Sequence, residues 1–248
     1  MGFLSGFFSK KETASTPFLS ALRVDLHSHL VPGIDDGSAS LDQSVELVRE
    51  MMSLGYTKLI TTPHISAEHF PNTSDIIRDG FATLKQRLRE EDIDVELEVG
   101  AEYMIDSGFM EKIKSGDLLS FSGNHILVEM PTYMPYPDYA SILFELQTSG
   151  YKIILAHPER YSYWHSNFKH YDALKDREIL FQMNIGSLAG RNSGPLKKIA
   201  QHLIEDEMID LLGSDIHNIN YVDAIRETAG DKHLEKLLSS GKLLNTGL

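Results

Sequence analysis

Apolar and polar positions along the chain recur in two alternating rhythms. Short runs rich in aliphatic and β-branched residues, at 23–26, 57–62, 95–99, 124–130, 151–156, 180–185 and 208–213, read as seven strands. Between them, apolar residues three and four positions apart read as helices. After Ser40, a candidate N-cap, Val45, Val48, Met52 and Leu54 recur up to Gly55, and the segment 73–91 places Ile76, Ile77, Phe81, Leu84 and Leu88 on an inward face. The stretch 221–244 reads as one or two closing helices broken near Gly230 and Asp231. Strands and helices in alternation predict an α/β fold with a parallel sheet, and 248 residues suit one large domain. Residues 1–22 stand apart as an N-terminal extension, with Phe3-Leu4 and Phe7-Phe8 ahead of a polar linker from Lys10 to Pro17, so the domain proper is expected over 23–248. The extension is expected to pack on its own domain or to fray, the alternative being that its phenylalanines cover an open face of the domain or dock a partner.

The residues that punctuate the strand ends change the picture. In Val24-Asp25-Leu26-His27-Ser28-His29, strand alternation turns His27 and His29 to the same side, about 7 Å apart. That spacing suits two ligands of one metal ion, and equally ordinary hydrogen bonding in a polar loop. The next loop adds Asp35 and Asp36 between Pro32-Gly33 and Gly37, the setting in which binding groups are usually displayed. Later strands run into Pro63-His64, Gly100-Ala101-Glu102, Glu129, His157-Pro158-Glu159-Arg160 and Ser214-Asp215-Ile216-His217-Asn218, whereas Glu96 and Glu98 lie within a strand and are expected to face solvent. In a parallel β/α barrel the loops after the strands open on one face, which carries the active site. Singly, each group has a bland alternative: His64 as a helix cap, Glu129 paired to an arginine, Asp215 as an N-cap. Together, His27, His29, Asp36, His64, Glu102, Glu129, His157, Asp215 and His217 put four carboxylates on one rim with no cluster of Lys and Arg there to neutralise them. Cations must do so, and mixed His/carboxylate shells without sulfur suit zinc, manganese or iron.

Composition narrows the chemistry further. A formal charge of -13 argues against a nucleic-acid surface, whose affinity comes mainly from Lys and Arg on phosphates. The chain has no cysteine, which excludes disulfides, thiolate zinc sites and cysteine-nucleophile phosphatase or protease chemistry. No apolar run approaches the roughly 18 residues of a membrane span. The N-terminal phenylalanines lack a signal-peptide pattern, and a cytoplasmic protein is expected.

The motifs also carry a resemblance. Asp25-Leu26-His27-Ser28-His29, Thr62-Pro63-His64, Gly100-Ala101-Glu102, Ala156-His157-Pro158-Glu159-Arg160 and Ser214-Asp215-Ile216-His217-Asn218 resemble those of the polymerase-and-histidinol-phosphatase (PHP) superfamily. Within it, Gly33-Ile34-Asp35-Asp36-Gly37 and Leu127-Val128-Glu129 resemble the bacterial capsule-type tyrosine-protein phosphatases, and the likeness runs from about Arg23 to Asn218. It implies a distorted seven-stranded (β/α) PHP-type barrel with three divalent transition-metal ions, Mn, Fe or Zn. By the family pattern, His27, His29, Glu102 and Asp215 hold one ion; Glu102 bridges to a second held with Glu129 and His157; Asp36, His64 and His217 hold the third. The implied activity is hydrolysis of phosphotyrosine by metal-bound hydroxide, in keeping with what clustered ions do to phosphate esters. The implied partner is a bacterial tyrosine autokinase in capsule or exopolysaccharide regulation. The rivals are a small-molecule phosphatase, such as one acting on histidinol phosphate, and a non-catalytic, metal-stabilised partner-binding module.

Arg160 is expected to clamp the phosphate, since its planar fork matches phosphate oxygens; a structural ion pair with a neighbouring carboxylate is the alternative. Relatives of the tyrosine-phosphatase type carry another arginine shortly after the Ser-Asp-x-His-Asn motif, where this chain has Ile219-Asn220-Tyr221-Val222, leaving Arg191 and Arg226 as substitutes. Phe70, Tyr133, Tyr136, Tyr161, Tyr163 and Trp164 are candidate walls for a phosphotyrosine ring, or ordinary packing. Phenolate leaves readily because the pKa of tyrosine is near 10, which favours an aryl over an alkyl phosphate.

Overall fold

The computed structural model describes residues 17–191 and 194–248; most of the N-terminal extension, with its phenylalanine pairs, lies outside them. Nine parallel strand segments occupy seven positions. β1 (Val24–Asp25) pairs with β2 (Lys58–Thr61), and β2 with β4 (Glu96–Val99). Past Pro63, which has no N–H to give to a ladder, the second strand resumes as β3 (His64–Ile65), and beyond Ala101 the third resumes as β5 (Glu102–Met104). Gly100 N to Thr61 O (2.9 Å) and Glu102 N to Pro63 O (3.1 Å) carry the pairing across both breaks. Then β6 (His125–Glu129), β7 (Lys152–Ala156), β8 (Leu180–Asn184) and β9 (Leu211–Gly213) follow in order. The chain just beyond β9 meets the chain just beyond β1: Asp215 N donates to His27 O at 2.8 Å and His29 N to Ile216 O at 2.9 Å. Ser28 and Ile216 form a parallel bridge, so the last position lies against the first.

Helices connect the strands. Ser40 caps α1 (Leu41–Ser53) by accepting from Gln43 N, and Thr73 caps α2 (Ser74–Glu90) by accepting from Ile76 N. In α2 the buried stripe is Ile77, Leu84 and Leu88, spaced by seven and four. Ile76, expected inward, lies about 100° round the axis from Ile77 and is 44% exposed. α3 (Phe109–Ser115), α4 (Tyr139–Thr148), α5 (Lys169–Lys175) and α6 (Pro195–Glu205) intervene between later strands. α7 (Ile219–Arg226) and α8 (Lys232–Ser239) close the chain and break where Gly230 takes a positive φ, with Asp231 capping α8. Among the described residues no helix is long and apolar enough to cross a membrane.

Two apolar clusters hold this arrangement. The larger lies between helices and strands and includes Leu19 and Leu22, just ahead of β1. The smaller draws Val24, Leu26, Ile60, Leu127, Ile154, Ala156 and Leu211 from five of the strand positions, with Phe121 beneath them. Each Val, Leu or Ile among them contributes roughly 1.5–3 kcal/mol by leaving water.

Candidate metal centre

All nine residues singled out at strand ends converge. His27 and His29, after β1, bring their Nε2 atoms within 3.3 Å of each other. Glu102 Oε2 lies 3.1 and 3.4 Å from those two nitrogens, and Asp215 Oδ1 lies 3.3 and 3.4 Å from them. A second group shares His29: Asp36 Oδ1 is 3.5 Å from His64 Nε2 and 3.3 Å from His217 Nε2, while the His29 and His217 rings stack at 4.0 Å. In a third, His64 Nδ1 is 3.1 Å from both Glu102 Oε2 and Glu129 Oε1. His157 Nε2 stands 3.0 Å from Glu102 Oε1 and 3.8 Å from Glu129 Oε2. Glu102 therefore touches four imidazoles, and His29 and His64 each belong to two groups. Sequence reading put His64 and Glu102 just past strand ends; they sit instead in the short resumed strands β3 and β5, directly opposite one another in register. The break at Thr62-Pro63 separates β3 from β2, and that at Gly100-Ala101 separates β5 from β4.

A shell of residues outside the nine fixes the rings. Asn184 Nδ2 donates to Asp215 Oδ2 (2.7 Å), so Asn184 Oδ1 is left to accept from Gln182 Nε2 (2.9 Å), which turns Gln182 Oε1 toward His27 Nδ1 (2.7 Å). On the other side Asp35 Oδ2 accepts from His29 Nδ1 at 2.8 Å and from His64 N at 3.0 Å. Both Nδ1 atoms thus carry protons, and in neutral rings both Nε2 lone pairs face each other and two carboxylates. That set repels itself unless cations or further protons stand among the donors. With protons alone, burial by itself would lower the pKa of His27, but Glu102 and Asp215 outweigh it and raise it to about 9. Burial likewise works against the charged forms of Glu102 and Asp215, yet the surrounding histidines hold both well below the usual carboxylate range. A hydrogen bond from His217 brings Asp36 down to about 2. Neutral imidazole nitrogens and carboxylate oxygens, oriented from behind by an amide and a carboxylate, are a donor set that suits divalent transition metals.

Backbone geometry serves the same end. His157 (φ +33°) and Asp215 (φ +51°) adopt left-handed conformations that cost a non-glycine residue energy and persist where surroundings enforce them. Gly37 passes so close to His29 that a Cβ there would lie 2.3 Å from the histidine Cβ, and a Cβ on Gly213 would lie 2.9 Å from that of His27. Asp25, pushed up to about 7 by burial against the hydrogen bonds of Ser214, accepts from Ser214 N (2.8 Å) and Oγ (2.7 Å) and ties β1 to the chain after β9. Buried Glu159 accepts from Asn184 N (2.9 Å) and Ser187 Oγ (2.7 Å). None of Asp35, Gln182, Asn184 and Glu159 was assigned a role from sequence. Asp35 had a signal beside Asp36 in the same loop, and Glu159 had one within the motif His157-Pro158-Glu159-Arg160.

Arg160 follows β7 in a one-turn 3-10 helix (Pro158–Arg160), and its Nη1 donates to Asp215 Oδ2 at 3.0 Å. This is the carboxylate contact weighed against phosphate binding, yet the side chain is half-exposed and stands where two cavities meet. One, of about 200 Å³, opens over Asp36, His64, Glu129, Asp215 and His217. The other, of about 330 Å³, runs over Asn184, Ser187 and Arg191. Arg191 Nε donates to Glu227 Oε1 at 3.0 Å, whereas Arg226 turns to Glu50 and Asp223 and lines neither cavity. Of the six aromatic candidates only Phe70 lines the metal-side cavity, stacked on His64 at 5.2 Å. Tyr161 and Trp164 are buried in the core, Tyr163 donates to Pro131 O, Tyr136 packs on the core, and Tyr133 is 93% exposed. Sequence reading missed Tyr221, which stacks on His217 at 5.0 Å and lines both cavities; its signal was its place in the first turn of α7, four residues after that histidine.

Against known proteins, the family model for capsular polysaccharide synthesis, CpsB/CapC, matches residues 23–232. The tyrosine-protein phosphatase YwqE of Bacillus subtilis (strain 168) is 32% identical over 198 residues, covering 79% of this chain and 78% of that protein. A chain from the crystal structures of YwqE from Bacillus subtilis and CpsB from Streptococcus pneumoniae, unique metal-dependent tyrosine phosphatases, superposes with a TM-score of 0.78 at 31% identity, covering 90% of each. The histidinol phosphate phosphatase of Lactococcus lactis superposes with a TM-score of 0.52 at 15% identity, covering 82% of this chain and 91% of that one, a likeness of fold alone.

Proposed function

The chain belongs to the CpsB/CapC capsular polysaccharide synthesis family, and from that membership we propose that it is a metal-dependent protein-tyrosine phosphatase. The observation that carries this reading is the buried His27–His29 pair, whose Nε2 atoms face Glu102 and Asp215 beside a half-exposed Arg160. His27, His29, Asp36, His64, Glu102, Glu129, His157, Asp215 and His217 would together hold three ions of Mn, Fe or Zn. When bound, such ions neutralise phosphate oxygens and supply an acidified water as nucleophile. The chain itself does the rest. Arg160 takes phosphate oxygens with the N–H groups it turns to the cavity. Asp35 and Gln182 accept from the Nδ1 atoms of His29 and His27 and so turn both Nε2 atoms toward Glu102 and Asp215. Phe70 and Tyr221, each stacked on a histidine, flank the cavity and give the phenyl ring an apolar slot. The phenolate leaves without a strong acid because its pKa is near 10. The physiological substrate in this reading is a bacterial tyrosine autokinase, met in the cytoplasm.

Turnover of a phosphotyrosine peptide, a phosphoserine peptide and histidinol phosphate at equal metal loading tests this. Phosphotyrosine should dominate, fall away with a chelator and return with metal. Arg160→Ala should keep its metal content yet lose about 100-fold in kcat/KM, roughly the 2.7 kcal/mol of a charge-assisted contact. A tenfold preference for histidinol phosphate would make the small-molecule reading the right one.

A further inference from the structure

The two cavities that meet at Arg160 share Asp215 and Tyr221, but their other walls differ in chemistry. The metal-side cavity is ringed by histidines and carboxylates. The second contains, besides Arg160, one further cation, Arg191, and an apolar wall from Leu196 and Ala224. In a chain of net charge -13 a guanidinium placed there is conspicuous. Its partner Glu227 is 40% exposed and Arg191 itself 43% exposed. An ion pair so open to water holds its partners weakly, so another anion can replace Glu227 at little cost.

We propose that this second cavity is a substrate subsite that takes the residue flanking the phosphotyrosine when that residue is anionic, with Arg191 as its reader. The inference rests on the phosphatase reading above. A peptide whose phosphotyrosine enters the metal-side cavity past Phe70 and Tyr221 has the second cavity as its contiguous exit, because Tyr221 and Arg160 line both. There a flanking side chain lays its methylene portion on Leu196 and Ala224, and its anionic end displaces Glu227 from the fork of Arg191. A carboxylate and a second phosphate present the same chemistry to a guanidinium. Arg191 thus sets specificity without touching the reacting phosphate.

The test uses phosphotyrosine peptides with Asp, phosphoserine or Ala at each of two positions on either side, hydrolysed by the metal-loaded wild type, Arg191→Ala and Glu227→Gln. Ionic strength is fixed near 0.15 M, where repulsion from the acidic surface is screened beyond about 8 Å. At one flanking position the wild type should favour the anionic peptide about fivefold in kcat/KM, expressed in KM. Arg191→Ala should bring that ratio close to one, and Glu227→Gln should raise it by removing the competing carboxylate. The Asp and phosphoserine arms decide which anion is preferred. Calorimetric Kd values for non-hydrolysable phosphonate versions should follow the same order. Equal KM and Kd for anionic and Ala peptides in the wild type, or a preference that survives Arg191→Ala, overturns the subsite. If no peptide is hydrolysed at full metal loading, the phosphatase reading fails instead, and the binding arm still decides whether Arg191 reads an anion.

Discussion

Alternate residues of β8 pass through two kinds of interior within a single strand. Leu180 packs on the small apolar cluster with Leu127, Ile154 and Leu211; Gln182 holds His27; Asn184 holds Asp215. β6 makes the same passage from Leu127 to Glu129 in two residues. Near the strand starts, stability is a matter of area removed from water and close packing, and neighbours are interchangeable within limits of volume. Near the strand ends most buried polar atoms have a named partner, with Thr62 Oγ1, His157 Nδ1 and Glu159 Oε2 as exceptions, and the cluster tolerates its own charges through those partners. The apolar half thus supplies the rigidity, and the polar half holds a costly arrangement in place.

The largest effect that separates the halves should come from the polar one. His157→Ala or Asp215→Ala should lower phosphotyrosine turnover by at least about 1000-fold, some 4 kcal/mol in transition-state terms. Far-UV circular dichroism should remain that of the folded protein. A melted spectrum would mean that the two halves are not separable. Next in size, Leu127→Ala should cost about 2–5 kcal/mol of unfolding free energy in urea while activity per folded molecule is kept. At the seam between the halves, Gln182→Ala should weaken metal binding by about 10–100-fold in a competitive chelator titration. Its effect on unfolding in urea should be smaller than that of Leu127→Ala, and the reverse order would move Gln182 into the stability half.

The smallest expected effect is on pH dependence. In chelator-treated protein, the pKa of His27 is raised from 6.5 to about 9, and that of His29 is raised as well. A group raised on folding adds stability that is full below its unfolded pKa and is lost as pH climbs through the folded one. The melting temperature of the ion-free protein should therefore fall by a few degrees between about pH 7 and 9. Metal-loaded protein, whose rings are already neutral, should show little of this fall.

How far the sequence disclosed all this follows the same divide. The converging residues are legible because His27, His29, Glu129, His157, Asp215 and His217 lie at or just past strand ends within short motifs. The strands were legible because their aliphatic runs are bounded by turn residues. What escaped was set by contacts through space. Gln182 sits 155 residues from His27, and Asn184 lies 31 from Asp215, so no local pattern marks either as a partner. Pro63 announced a break but not that the strand would resume beyond it at His64. Ile76 and Ile77 are equally apolar, and only the packing of α2 decides which is covered.

The bond from Ser214 N to Asp25 Oδ1 joins residues 189 apart in the chain. On a ribosome adding about 5–20 residues per second, β1 therefore waits roughly 10–40 s before the segment that completes its pairing exists. Throughout that interval His27 and His29 have been made while Asp215 and His217 have not. An interrupted translation product ending before residue 214 therefore carries seven of the nine converging residues, with β1 paired to β2 on one side and open on the other.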